Sequence, residues 1–515
     1  MRFLTLILLY QFANPLHAQT LLTWEELEQA YNYTNIDLAI ADKQKATRIT
    51  FYEQGESFSE RVKLVPNLQA LFANRLYLKY LPASLAEVNN LQWLELRYNW
   101  IASLPDFLTQ CKALNRLDLR GNWFEKYPSP LHNLANLRWL DASENKIDSI
   151  PDSILQNTSL EYLDLHKNKI HYFPKALGEL SKLSYLDFSY NKIPNLPTNL
   201  GELKQLRYLD IGHNPVQNTN ILPNTLLALP QLTHLSLSGL NLKHCTDTLT
   251  LLTSLEVLNL ANNKLERLPL EFGKLENLFW LNLGDNFIDS LPKSIANLRK
   301  VEWLNLEKNG LTYVPDTISS LINLKKLFLG VNKFVSLPAS IAKLKNLEEL
   351  SIINTPLKTI PNEWKQLQIK DLNLAFNKSL DQTKSFQIIG QMPALKTFSL
   401  RSCRFKKLSP MVEKLQNIDT LDLYDNLFVE LPIQIGKLTN LKVLRLGSNE
   451  LKTIPAEIGN LSSLELLDLG DNELKTLPES LKNLQNLKLI IIGGNYIPEP
   501  IMLKLKEWLP NVKIQ

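Results

Sequence analysis

Residues 91–99 read LQWLELRYN, and residues 114–122 read LNRLDLRGN, the same pattern 23 residues on. Leu91, Leu94, Leu96 and Asn99 hold fixed places that Leu114, Leu117, Leu119 and Asn122 take again. Asn145, Asn168, Asn191 and Asn214 continue the series, and Asn263, Asn286, Asn309 and Asn332 form a second one. Asn377, then Asn426, Asn449, Asn472 and Asn495, complete it. Gln54, Leu76, Leu240, Thr355 and Cys403 fill the Asn place in the remaining turns. The L-x-L segment alternates, which predicts a short strand with its leucines turned inward. A single turn cannot bury them, so turns must stack into a continuous core. Each Asn side chain is expected to bond backbone groups of its own and the neighbouring turn, forming a ladder. The Pro that follows, as in Thr453-Ile454-Pro455 and Thr476-Leu477-Pro478, is expected at a first helical position of an outer segment.

The L-x-x-L-x-L-x-x-N units with their LPxxIxxL continuation resemble the leucine-rich-repeat superfamily, in its 23-residue bacterial-type extracellular class. The resemblance covers roughly residues 46–515. It implies an α/β solenoid: a curved horseshoe of about twenty turns, with a parallel concave β-sheet and short helical or 3-10 convex segments. It also implies a non-enzymatic binding protein, since relatives with catalytic activity carry it on an added domain.

The ends depart from the repeat. Residues 1–18 read as a signal peptide, with Arg2, an apolar run and a cut between Ala18 and Gln19. That reading places the protein outside the cytoplasm: periplasmic, cell-surface or secreted. Residues 19–45 are assigned to an N-terminal helical cap, with Thr23-Trp24-Glu25-Glu26 as a capping box opening a helix to about Tyr33. The repeats take 46–495 and a C-terminal cap takes 496–515, helical from Ile501 to Leu509 with a last strand over Val512 to Ile514. No segment is long enough in apolar residues to span a bilayer. The net charge of +4 comes without a basic stripe, so no nucleic-acid partner is expected. Cys111, Cys245 and Cys403 lie six or seven turns apart, about 30 Å between neighbours at strand spacing, and are expected as buried free thiols. The turns starting at Asn214 and Asn377 are three residues longer than the rest and share Leu-Pro-Gln-Leu (229–232) and Met-Pro-Ala-Leu (392–395), which points to duplication of a seven-turn block.

Function is sought on the concave face, where alternate strand residues stand in columns. One column, six residues before each Asn, reads Trp93, Arg116, Trp139, Tyr162, Tyr185, Tyr208, His234, Val257, Trp280, Trp303 and then loses its aromatics. The next, four before each Asn, reads Glu95, Asp118, Asp141, Asp164, Asp187, Asp210 and then turns neutral with Ser236, Asn259, Asn282 and Asn305. Exposed aromatics beside acids suit a protein or peptide with basic and apolar groups, chiefly on the N-terminal half. The alternative is a glycan or cell-wall polysaccharide stacking on the same rings. Tyr or Asp at these places is also common in the superfamily. Trp100 and Trp123, each just after a ladder Asn, would extend the patch onto one edge. No catalytic or cofactor motif is present in the sequence. His166 and His213 stand near Asp164, Asp187 and Asp210, but a gently curved ladder is not expected to converge them on a metal.

Overall fold

The computed structural model describes residues 21–52, 60–172, 174, 177–197, 199–217, 219 and 222–515. The expected signal peptide and Gln54 lie outside the described residues. The chain forms two compact units, Met1–Leu206 and Arg207–Gln515. Each is built of parallel three-residue strands, one per turn. In the first unit these run from Arg48–Thr50 to Tyr185–Asp187, with Trp139 opposite Tyr162 and Tyr162 opposite Tyr185. In the second they run from Tyr208–Asp210 to Leu489–Ile491, and Lys513–Ile514 closes the end. Leu94, Leu117, Leu140, Leu163 and Leu186 are wholly buried, as are Leu258, Leu281 and Leu304.

The ladder Asn does what its chemistry allows. Asn286 Nδ2 donates to the Leu260 and Leu283 carbonyls at 3.0 and 3.1 Å, and its Oδ1 accepts the Leu265 amide at 3.0 Å. The same set recurs at Asn99, Asn122, Asn449 and Asn472. Where Asn is missing, substitutes cover part of the work. Thr355 Oγ1 donates to Asn377 Oδ1 at 2.7 Å, and Cys403 Sγ faces the Leu374 carbonyl at 3.5 Å.

Outer segments are short 3-10 helices. Their Pro sits one place earlier than expected: Pro105, Pro151, Pro292 and Pro455 are N-cap residues, extended at ψ near 150°. Their carbonyls accept the first turn's amide, as Pro105 does from Leu108 at 3.1 Å. The two long turns use their extra residues to make true α-helices, Leu222–Leu227 and Gln382–Ile389. All three cysteines are free; Cys111 and Cys403 are buried, while Cys245 is only partly so.

The cap differs from expectation. The capping box is present, but its helix, α1, covers only Trp24–Gln29. Asn32–Tyr33 then pairs with Arg48–Thr50, and a second helix, α2, runs Ile36–Ala41. At the other end the helix is Glu499–Trp508, two residues earlier than expected at its start.

Before each ladder Asn the backbone turns left-handed: Tyr98, Glu144, Lys167, Asp285 and Val331 all have φ between 51° and 58°. Val331 is the worst suited, because a β-branched side chain crowds that conformation. Asn262 and Asn354 occupy the same place in other turns. Val331→Asn is therefore expected to stabilise the protein by roughly 1 kcal/mol. Thermal or urea unfolding checks this; an unchanged or lower midpoint would contradict it.

Candidate functional site

In the first unit the aromatic column lines up turn on turn. Trp139 and Tyr162 stack at 4.6 Å between centroids and 13° between planes, and Tyr162 and Tyr185 at 4.1 Å and 13°. The expected exposure is not met. Trp93, Trp139 and Tyr162 are each 5% exposed and Tyr185 8%. Stacking hides the ring faces, and at Trp93 the chain itself adds a cover. Leu27 of α1 packs against Ala70, Phe72 and Trp93, all side chains of the strand face. Arg48 Nη1 ties α1 down through the Leu27 carbonyl at 3.2 Å and the Glu28 carbonyl at 2.5 Å. The cap thus folds back onto the face on which the sequence places binding.

The acidic column has a local reason. Asp118, Asp141, Asp164 and Asp187 each accept, through Oδ1, the amide of the residue two places on: Arg120, Ser143, His166 and Ser189, at 2.9–3.1 Å. Asp210 does the same with Gly212 at 2.8 Å. So do Asn259, Asn282 and Asn305 with Ala261, Gly284 and Glu307. This bond satisfies an amide where the strand ends, just before the left-handed residue. Asp and Asn serve it equally, which is why the column changes charge without changing structure. Four of these acids and Glu95 are 0–8% exposed rather than displayed to solvent, and Asp118 is the most buried. Glu95 accepts from Trp93 Nε1 and from Arg97 Nη2, both at 3.1 Å, and Arg97 also pairs with Asp118.

Burial shifts the ionisation of two of these acids, Asp118 and Asp141. Burial pushes the Asp118 carboxyl up to about 6, against the pull of Arg97. Burial, then the charges of Asp164 and Asp118, raise Asp141 well above the usual carboxylate range. Burial works to lower the His166 pKa, but its 2.7 Å contact with Asp164 and the charges of Asp164, Asp187 and Asp141 raise it overall. Contrary to expectation, side chains here do converge: ligand-type atoms of Asp164, His166 and Asp187 lie within 4.8 Å of one another. Internal bonds occupy Asp164 Oδ1 and Asp187 Oδ1, the latter accepting Ser189 Oγ at 2.7 Å.

Unfolded, Asp141 ionises near about 3.9 and His166 near about 6.5. Folded, both hold their protons to higher pH, so folding stability falls as pH rises through the folded values. Between about pH 5 and about pH 8 the unfolding midpoint should therefore drop. Asp141→Asn keeps the acceptor for Ser143 and removes the charge. It should raise the midpoint at the alkaline end and flatten the slope. Equal destabilisation at both ends would contradict the assignment.

The second unit presents a more open face. Tyr208, His234, Val257, Trp280 and Trp303 are half-buried, as are Asp210, Asn259, Asn282 and Asn305. Trp280 and Trp303 stack at 4.5 Å and 6°. Phe328, one strand on, tilts against Trp303 at 5.3 Å. It stands in the acid/amide column, one turn beyond Asn305, and extending that column by one turn in the sequence would have found it. In register before Trp280 stands Val257, too small to cover an indole face. With Oδ1 spent on the backbone, the Nδ2 hydrogens of Asn259, Asn282 and Asn305 have no protein acceptor among the described residues. The face thus combines an aromatic platform with a row of neutral donors. On the edge of the first unit, Tyr77, Trp100 and Trp123 are exposed and packed in series at 4.9 and 5.5 Å.

Residues 263–383 and 433–508 match the family described as the leucine-rich repeat region. Comparison with curated proteins finds no match. Among solved structures, the plant peptide hormone receptor RGFR1, in complex with RGF2, is 22% identical across 94% of this chain and 79% of that one, with a TM-score of 0.59. The Arabidopsis receptor kinase HAESA, in complex with the peptide hormone IDA and the co-receptor SERK1, is 24% identical across 87% and 78%, with a TM-score of 0.53. A Leptospira interrogans LRR protein is 26% identical across 94% and 99%, with a TM-score of 0.43. The stacked turns have the leucine-rich-repeat fold, and the family match covers part of the chain. No helix among the described residues is long and apolar enough to cross a membrane.

Proposed function

We propose that this protein is an exported, non-enzymatic scaffold that binds a peptide on the strand face of its second unit. The observation that carries the reading is the half-buried Trp280–Trp303 pair beside the unspent amides of Asn259, Asn282 and Asn305. Those donors suit the carbonyls of an extended peptide, and the indoles suit its apolar side chains. Plant receptors of the same fold were solved with peptide hormones, which shows such a ligand is compatible with stacked repeats. The leader-like sequence of residues 1–18 supports export.

The reading moves the weight away from the N-terminal half, because Trp93, Glu95, Asp118, Trp139, Asp141, Tyr162, Asp164, Tyr185 and Asp187 are buried there. A glycan is less favoured, since the inner faces of Trp280 and Trp303 cover each other and only the Trp280 face beside Val257 is left for a sugar.

Panning a displayed peptide library on the protein should yield binders. Trp280→Ala with Trp303→Ala should weaken them by at least about tenfold while leaving the fold intact. Because the contacts are neutral, affinity should change little between about 0.05 and about 0.5 M salt. Binders that survive the double change would contradict the site.

A further inference from the structure

Arg116 is the anomaly of the first unit. Its guanidinium lies 4.0 Å from the Trp93 ring centroid and 4.5 Å from that of Trp139, sandwiched between two indoles. Neighbouring arginines all reach carboxylates: Arg97 to Glu95 and Asp118, Arg120 to Glu144, Arg138 to Glu161. Arg116 makes no ion pair among the described residues, although the charges of Glu95, Asp118 and Glu28 act on it from a distance. Its Nε is a buried donor without an acceptor, as are those of Arg48 and Arg120; what Arg116 adds is the Nε1 of Trp139 beside it, likewise buried and unpartnered. Trp139 itself is 5% exposed. Buried donors left unmade are costly, and here two of them stand side by side.

What covers this slot is the chain's own N-terminal segment, held as a peptide would be. The Leu22 amide donates to Gln69 Oε1 at 2.8 Å, and Gln92 Nε2 donates to the Leu22 carbonyl at 2.9 Å. Two residues on, the Trp24 indole lies over Arg116 and Arg138 at 5.5 and 5.7 Å and donates to Asn115 Oδ1 at 2.8 Å. A column of amide side chains, Gln69, Gln92 and Asn115, thus reads an extended segment with an aromatic residue at its end. Trp24 is only half-buried, so its cover is displaceable.

We propose that the Arg116 slot is a second binding site, lidded by Trp24, for a peptide that ends in an aromatic residue and its free carboxylate. The carboxylate takes up the unspent hydrogens of Arg116 and Trp139, and the aromatic ring takes the place of the Trp24 indole. Arg's planar fork suits a carboxylate, and the two indole walls exclude competing water. This rests on the reading of the chain as a peptide binder. It is tested at Arg116, whereas that reading is tested at Trp280, so either can fail alone.

The probes are N-acetyl-tryptophan, with its carboxylate free, and N-acetyl-tryptophanamide, which lacks it. They are measured against the full chain by ligand-observed NMR. Wild type, with its lid in place, should bind both weakly. Trp24→Ala should bind the carboxylate at least tenfold tighter than wild type does, and tenfold tighter than it binds the amide. Adding Arg116→Gln should abolish that preference. Trp24→Ser, which also uncovers the slot, runs in parallel should the alanine variant lose its fold, and should show the same preference. Equal binding of the two probes, no gain on opening the lid, or a preference that outlasts Arg116→Gln would each overturn the proposal.

Discussion

Everything in this protein depends on how buried backbone is satisfied where each strand turns away from the sheet. Three-residue strands leave carbonyls and amides pointing into an apolar core with no room for water. A carboxamide carries both donors and an acceptor, so one Asn can close the bonds of two successive turns. Asn286 does this with Leu260, Leu283 and Leu265. Leucine burial makes turns attract each other, but it does not choose their register. The Asn fixes that, and the 23-residue spacing follows.

That register decides what the strand face can do. Because turns align residue for residue, like side chains meet like. Aromatic rings then stack and hide their faces, and the most deeply buried carboxylates resist ionisation. The first unit carries this furthest, with stacked Trp139, Tyr162 and Tyr185 beside buried Asp118 and Asp141. In the second unit the same places hold Asn259, Asn282 and Asn305, which keep the strand-end bond without the charge and leave donors over. A single structural duty met by either Asp or Asn thereby leaves the choice between them open to function.

Much of this was legible from residue type and spacing. The strands fall where L-x-L alternation puts them, because period-two burial leaves little freedom. The Pro position was off by one, since an extended residue lacking an N–H fits equally well just outside a helix. Two features were out of reach. The capping box announces a helix at Trp24 but says nothing of where it packs, so the fold-back of Leu27 onto Phe72 and Trp93 was invisible. The acid column looked like a display because alternation assigns a direction, not an exposure. The bond from Asp141 to the Ser143 amide depends on a left-handed turn at Glu144, and the spacing of leucines does not encode it.

The most direct measurement is hydrogen exchange on Asn286→Leu, which keeps apolar bulk in the ladder and deletes its hydrogen bonds. The Leu265 amide should lose its protection, together with neighbouring amides of the two adjoining turns. Global stability should fall by about 3 kcal/mol or more, as buried backbone groups go unpaired. Unchanged protection at Leu265 with unchanged stability would mean that leucine packing alone holds the turns in register.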